Sequence, residues 1–119
     1  MKYMIMMFGG VGATLSQRSP DWIKGMGELM MALQGELEES GELVSGHGLV
    51  DPSQAKTVRF EGGAPVSTDG PYAEIKESLA GYWVIDATEE RALEIASRAV
   101  AYIEYPMEVR QVMHESVPA

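Results

Sequence analysis

Apolar patterning along this chain predicts an α+β fold in which two β-α-β halves flank a central β-hairpin. Segments 2–8 and 81–86 are apolar at almost every position, the pattern of strands covered on both faces. Trp22 to Leu37 and Leu93 to Ile103 repeat apolar residues at helical spacing. Between these halves, residues 56–68 carry two strand-like runs around Gly62-Gly63, a pair suited to a tight turn.

The elements follow in order. Lys2 to Phe8 is the first strand, and GGVGATLS at 9–16 is a loop. Ser19-Pro20-Asp21 opens the first helix: serine caps, proline suits the first helical position, and aspartate suits the positive end of the helix dipole. Trp22, Met26, Leu29, Met30, Leu33 and Leu37 share one face. Gly41 stands where a left-handed residue ends a helix. Glu42 to Val50 supplies a second strand, Lys56 to Thr68 the hairpin, and Gly81 to Asp86 a further strand. Thr88 caps the second helix, with Glu89 and Glu90 in its first turn and Leu93, Ala96, Val100 and Ile103 as its buried face. Met107 to Met113 alternates as the last strand, and His114 to Ala119 is a frayed tail.

This order predicts a ferredoxin-like sandwich with both helices on one face of an antiparallel sheet. The other face is then bare, although strands 2–8 and 81–86 carry apolar side chains on both sides. A large exposed apolar face is not tolerated in a soluble monomer. The pattern therefore predicts a homodimer packed sheet to sheet, a dimeric α/β barrel.

The 119 residues make one domain with a modest core. With 18 acidic residues against 9 basic ones, the net charge is −9. Nucleic acid and anionic membrane surfaces are poor partners, because both require clustered Lys and Arg. There is no cysteine, which excludes disulfides, thiolate metal sites and cysteine nucleophiles. The apolar run from Tyr3 to Phe8 is shorter than a secretory core, and no run approaches a membrane span. A soluble cytoplasmic protein is expected.

Candidate chemistry is sparse. Gly10 and Gly12 fit part of a dinucleotide fingerprint, but Leu15 stands at its third glycine, and a P-loop lysine is missing. The loop is a cover over the sheet edge or a lid. His47, in SGHGLV, is either a general acid–base group or a polar residue at a strand end whose glycines serve the turn. No metal site is expected, the histidines being too few and far apart. Ser45, His47 and Asp69 form a triad only on paper, without a nucleophile elbow. Glu36, Glu38, Glu39 and Glu42 read as a solvated helix end, and the nine methionines as core filling.

The densest charge lies in TDGPYAEIKE at 68–77. Asp69-Gly70-Pro71 is turn chemistry, and a short helical turn over 71–77 puts Tyr72 with Lys76 and Glu74 with Glu77. Carboxylates beside a lysine make either a solvated turn or a site with a raised carboxyl pKa.

The run DGPYAEIKESLAGYWVID resembles the D-G-P-F-A-E-T-K-E signature and following aromatic strand of the DGPF subgroup of YCII-related proteins. MKYMIMMFGG and EVRQVM resemble that group's terminal strands. Tyr72 replaces phenylalanine and Ile75 replaces threonine. The resemblance implies a ferredoxin-like dimeric α/β barrel and little about activity, the family being mostly without assigned function. Relatives are thought to use a His-Asp pair in a pocket between sheet and helices, and one eliminates chloride from a chlorinated aromatic diol. Their histidine lies on the first helix, where this chain has none, and His47 is the substitute. Some relatives are associated with extracytoplasmic-function sigma factors.

Two functions are compatible with these residues. The first is a cofactor-independent acid–base enzyme of lyase or isomerase type acting on a small molecule. His47 or Asp69 is then the base and Lys76 holds an anionic group, while Tyr72, Glu77 and Tyr82 bind and orient the substrate. The second is a non-catalytic ligand-binding or regulatory dimer in which Asp69, Glu74, Lys76 and Glu77 secure the connection.

Overall fold

A computed structural model of the chain describes residues 1–9, 17–74 and 77–113. The elements run β1 (Lys2–Phe8), α1 (Pro20–Glu39), β2 (Leu43–Gly48), a short 3-10 turn (Pro52–Gln54), β3 (Lys56–Glu61), β4 (Ala64–Asp69), β5 (Leu79–Asp86), α2 (Glu89–Ile103) and β6 (Met107–Gln111). One sheet has the order β2-β5-β1-β6 with every neighbour antiparallel. β3 pairs with β4 in a separate ribbon. This is an α+β architecture consistent with a ferredoxin-like sandwich, with the ribbon inserted between its second and third strands.

Local signals set the boundaries. The Ser19 hydroxyl accepts the Trp22 N–H at 3.1 Å, and the Thr88 hydroxyl accepts the Arg91 N–H at 3.1 Å. These caps satisfy donors that the first helical turn leaves open. Gly41 has φ +80°, as a left-handed helix end requires. Strand ends moved by a few residues: β2 stops at Gly48 rather than Val50, β5 begins at Leu79, and β6 stops at Gln111.

The core lies between one sheet face and the helices. Tyr3 and Ile5 of β1, with Trp83 and Ile85 of β5, meet Leu33 and Leu37 of α1 and Ala92, Ile95, Ala96, Ala99 and Ile103 of α2. The buried face of α2 differs from the one predicted. Ala96 and Ile103 belong to it, but Leu93 is 49% exposed. The face is built on the alanines Ala92, Ala96 and Ala99, whose small side chains let the helix lie close to the sheet, with Ile95 and Ile103 filling the core beside them; Leu93 falls on the solvent side of the same turn.

The helices run antiparallel. At one end the Trp22 and Tyr102 rings lie 5.2 Å apart, and the Tyr102 hydroxyl donates to the Trp22 carbonyl at 3.0 Å. At the other end Arg91 and Arg98 of α2 reach Glu36 of α1.

Strand alternation turns Met4, Met6, Tyr82 and Val84 to the opposite face of the sheet. Among the described residues, no helix or strand covers that face. The ribbon projects instead. The radius of gyration is 16.3 Å, against ~13.5 Å for a compact chain of this length. The molecule measures 48 × 43 × 18 Å, a flat and extended shape.

Candidate functional site

Between α1 and the β2–β5 end of the sheet lies a cleft of about 470 Å³. Its walls include Met7, Met30, Trp83 and Met107. Its size and apolar character are those of a small-molecule site. Among the described residues four glycines line it: Gly35 on α1 and Gly48 on β2, where a Cβ would meet only open space, and Gly46 on β2 and Gly81 on β5, where one would collide with Trp83 and crowd the His47 backbone, respectively. Gly46 is obligatory. A Cβ there would lie 2.5 Å from Trp83 Cδ1, so the indole rests across the strand only because that position has no side chain. Gly46 and Gly48 both lie within strand β2, as the strand expected over 42–50 implies, and Gly46 is held there by the indole rather than by a turn.

The polar part of the cleft is a short relay. Trp83 Nε1–H donates to Gln34 Oε1 at 3.2 Å, and Gln34 Nε2 donates to Glu38 Oε1 at 3.0 Å. A buried indole N–H needs an acceptor, and Gln34 supplies it from α1. Glu38 follows one turn later and ends the relay on a carboxylate, an acceptor without a donor of its own when ionised. Sequence reasoning missed Gln34, Glu38 and Trp83. The available signal was Gln34 itself, an amide one helical turn from Met30 and Leu37 and next to Leu33 in the sequence, although its side chain remains exposed.

The residues singled out from sequence fall into two groups. His47 and Tyr82 are a cross-strand pair whose rings meet edge-on at 5.9 Å, and both belong to the lining of the cleft. Gly46 and Trp83 face α1, so alternation turns the His47 and Tyr82 rings to the other side of the sheet, away from the relay. Tyr72 and Glu77 line a second cleft at the base of the ribbon, with Asp51, Lys56 and Val58. Asp69 closes β4 and is ion-paired with Lys56. The carbonyl of Gly70 accepts the Thr57 hydroxyl at 2.7 Å, and its N–H donates to the Ala55 carbonyl at 2.8 Å. Asp69-Gly70-Pro71 thus anchors the ribbon's base. Lys76 lies outside the described residues, as do most of the 9–16 loop and the 114–119 tail. Among the described residues, no three His, Asp or Glu side chains are grouped to hold a metal ion. No helix among them is long and apolar enough to cross a membrane.

The acidic run is not a plain solvated helix end. Arg91 binds Glu42 through Nε and Nη2 at 3.0–3.2 Å, Glu36 at 3.2 Å and Glu94 at 3.1 Å. Arg98 binds Glu36 at 2.9 Å. Hydrogen bonds from Arg98 and Arg91 hold the Glu36 carboxyl below its ordinary range, and those from Arg91 and Ser40 do the same for Glu42. Arg91 is shifted upward by the same contacts, Glu42 first. The cluster ties the end of α1 to the start of α2.

Comparison with known sequences fits this architecture. Over 80 residues the chain is 38% identical to an uncharacterized protein of Rhizobium meliloti (strain 1021), an alignment spanning 63% of this chain and 64% of that one. The YCII-related domain family matches residues 1–115. The chain therefore belongs to the YCII-related family.

Proposed function

We propose that this protein binds a small, flat, mainly apolar molecule carrying one hydrogen-bond donor, and that it works as a homodimeric ligand-binding protein. The observation that carries this reading is the glycine-opened cleft beside Trp83, with a relay that ends on the Glu38 carboxylate. Methionine and tryptophan walls favour an aromatic face. Among the described residues the lining includes a carboxylate and no lysine or arginine, which disfavours an anion. The test compares p-cresol with 4-methylbenzoate, which share the tolyl ring; the phenol donates a hydrogen bond, whereas the ionised carboxylate only accepts. p-Cresol should bind at least tenfold more tightly by calorimetry. Equal affinities would remove the donor requirement, and no binding of either would remove the reading.

The homodimer is supported by the open sheet face and by the distribution of charge. The two helices hold eight acidic residues against three basic ones. On the open face Lys2 and Arg110 balance Asp86 and Glu108. A second copy can sit there without like-charge repulsion. Light scattering should give twice the 13.0 kDa chain mass. The Asp69-Gly70-Pro71 turn supports a place in the DGPF subgroup.

His47, at the edge of the same cleft beside Tyr82, favours a second reading: an acid–base enzyme with Asp69 and Lys76 as further participants. Its substrate would reach over the end of β2 to meet the imidazole. A His47 titration curve, followed by NMR, that is unchanged by p-cresol and by Asp69→Asn would dismiss it.

A further inference from the structure

The β3–β4 ribbon is explained by neither the cleft nor the core. Its strands are fully paired from Lys56 with Asp69 to Glu61 with Ala64, around Gly62 and Gly63 at φ +59° and +80°. Apart from Thr57, every residue of both strands is exposed. An isolated two-stranded ribbon is marginal in water and needs cover. Alternation gathers Val58 and Phe60 on one face, with Pro65 opposite Phe60. Val58 is 68% and Phe60 72% exposed. At the base, exposed Leu49 and Val50 join Val58 around the second cleft, while the Tyr72 ring lies beneath Arg59 on the ribbon's other face.

We propose that the ribbon is an arm that embraces a second copy of this chain, with Val58 and Phe60 seated on the partner. This rests on the homodimer reading above. Charge favours a second copy as the occupant. Residues 56–69 hold Lys56 and Arg59 against Glu61 and Asp69, a neutral segment in a chain of net charge −9. The arm can approach another acidic copy without repulsion. Cover points the same way: a two-stranded ribbon is marginal unless a second layer packs on it, and in a two-fold dimer each chain both gives an arm and receives one.

The test is sedimentation of the wild type beside the Val58→Glu/Phe60→Glu double variant over a dilution series. The arm variant should dissociate at concentrations at least tenfold higher than the wild type. A wild type of 13.0 kDa throughout would overturn both the homodimer and the arm. A wild-type dimer whose dissociation the double variant leaves unchanged would overturn the arm alone. A second measurement does not depend on that variant folding. The chain has no cysteine, so Phe60→Cys accepts one spin label. The label should be immobile at dimer concentrations and mobile after dilution. A label mobile at both would overturn the arm.

Discussion

The helix side of the sheet and the hairpin arm use the same kinds of residue and leave them in opposite environments. Ile5, Leu37 and Ile85 are fully buried, whereas Val58 and Phe60 stand in solvent. The strands beneath the helices have long-range cover from α1 and α2, which the chain itself supplies. The arm has ideal pairing and a turn of the right residues, but no second layer. The teaching is that local sequence suffices to shape a ribbon, while burial decides whether it is complete within one chain. The core should therefore respond to truncation as a folding unit, and the arm as a contact surface.

The largest effect should come from the core. Leu37→Ala should cost about 2–5 kcal/mol in urea unfolding, because it removes a fully buried side chain and leaves a cavity. Phe60→Ala at high dilution should change the midpoint by no more than ~0.5 kcal/mol, as exposed positions do. A core-sized loss at Phe60 in the dilute protein would break the contrast.

Gly46→Ala comes next. Its Cβ would meet Trp83 Cδ1 at 2.5 Å, so the indole must move and its bond to Gln34 must lengthen. We expect a cost of about 1–3 kcal/mol from overpacking, together with loss of p-cresol binding. Retained binding would mean that the indole position does not define the cleft.

The Arg91 cluster sharpens the comparison at the surface. Arg91→Ala should cost roughly 1–2 kcal/mol at neutral pH, the value of charged hydrogen bonds discounted for partial exposure. The Glu36 and Glu42 carboxyls are lowered in the folded state. Their contribution is present above the unfolded carboxyl pKa of about 4.3 and is lost as pH falls through the folded values. Wild-type stability should drop below about pH 4 in thermal melts, and the Arg91→Ala profile should be flatter there. Parallel profiles would show that the shifts do not originate in Arg91. Thr88→Ala, which removes one helix cap, should cost less than these, about 1 kcal/mol.

Much of the fold was legible because its signals are local. The caps at Ser19 and Thr88, the left-handed Gly41 and the Gly62-Gly63 turn are each fixed by a few adjacent residues. The buried face of α2 was misjudged at Leu93 because two neighbouring arcs of the helix are both apolar, and the small alanine arc won by allowing closer approach to the sheet. The Arg91 cluster was hidden by distance along the chain, since Glu36 and Glu42 find their partner only when the helices pack. A trace of it was visible: a cation in the first turn of α2 opposes the helix dipole. The candidate site was the least legible part. His47 and Tyr82 were identified individually, but the cleft beside them is made by absent side chains, and a strand glycine gives no sign in the sequence of the space it leaves. Asp69, Tyr72 and Glu77 attracted notice through charge density; Asp69 belongs to the anchor of the arm, and Tyr72 and Glu77 to the cleft at its base.

The central claim, that the glycine-opened cleft is a binding site, is tested most directly at the indole N–H of Trp83. The protein has two tryptophans, and Trp22 lies at the far end of α1 against Tyr102, which makes it an internal control. In an NMR titration with p-cresol, the Trp83 indole signal should shift progressively and saturate while that of Trp22 stays fixed. An unmoved Trp83 signal up to millimolar p-cresol, or equal shifts at both tryptophans, would contradict the account.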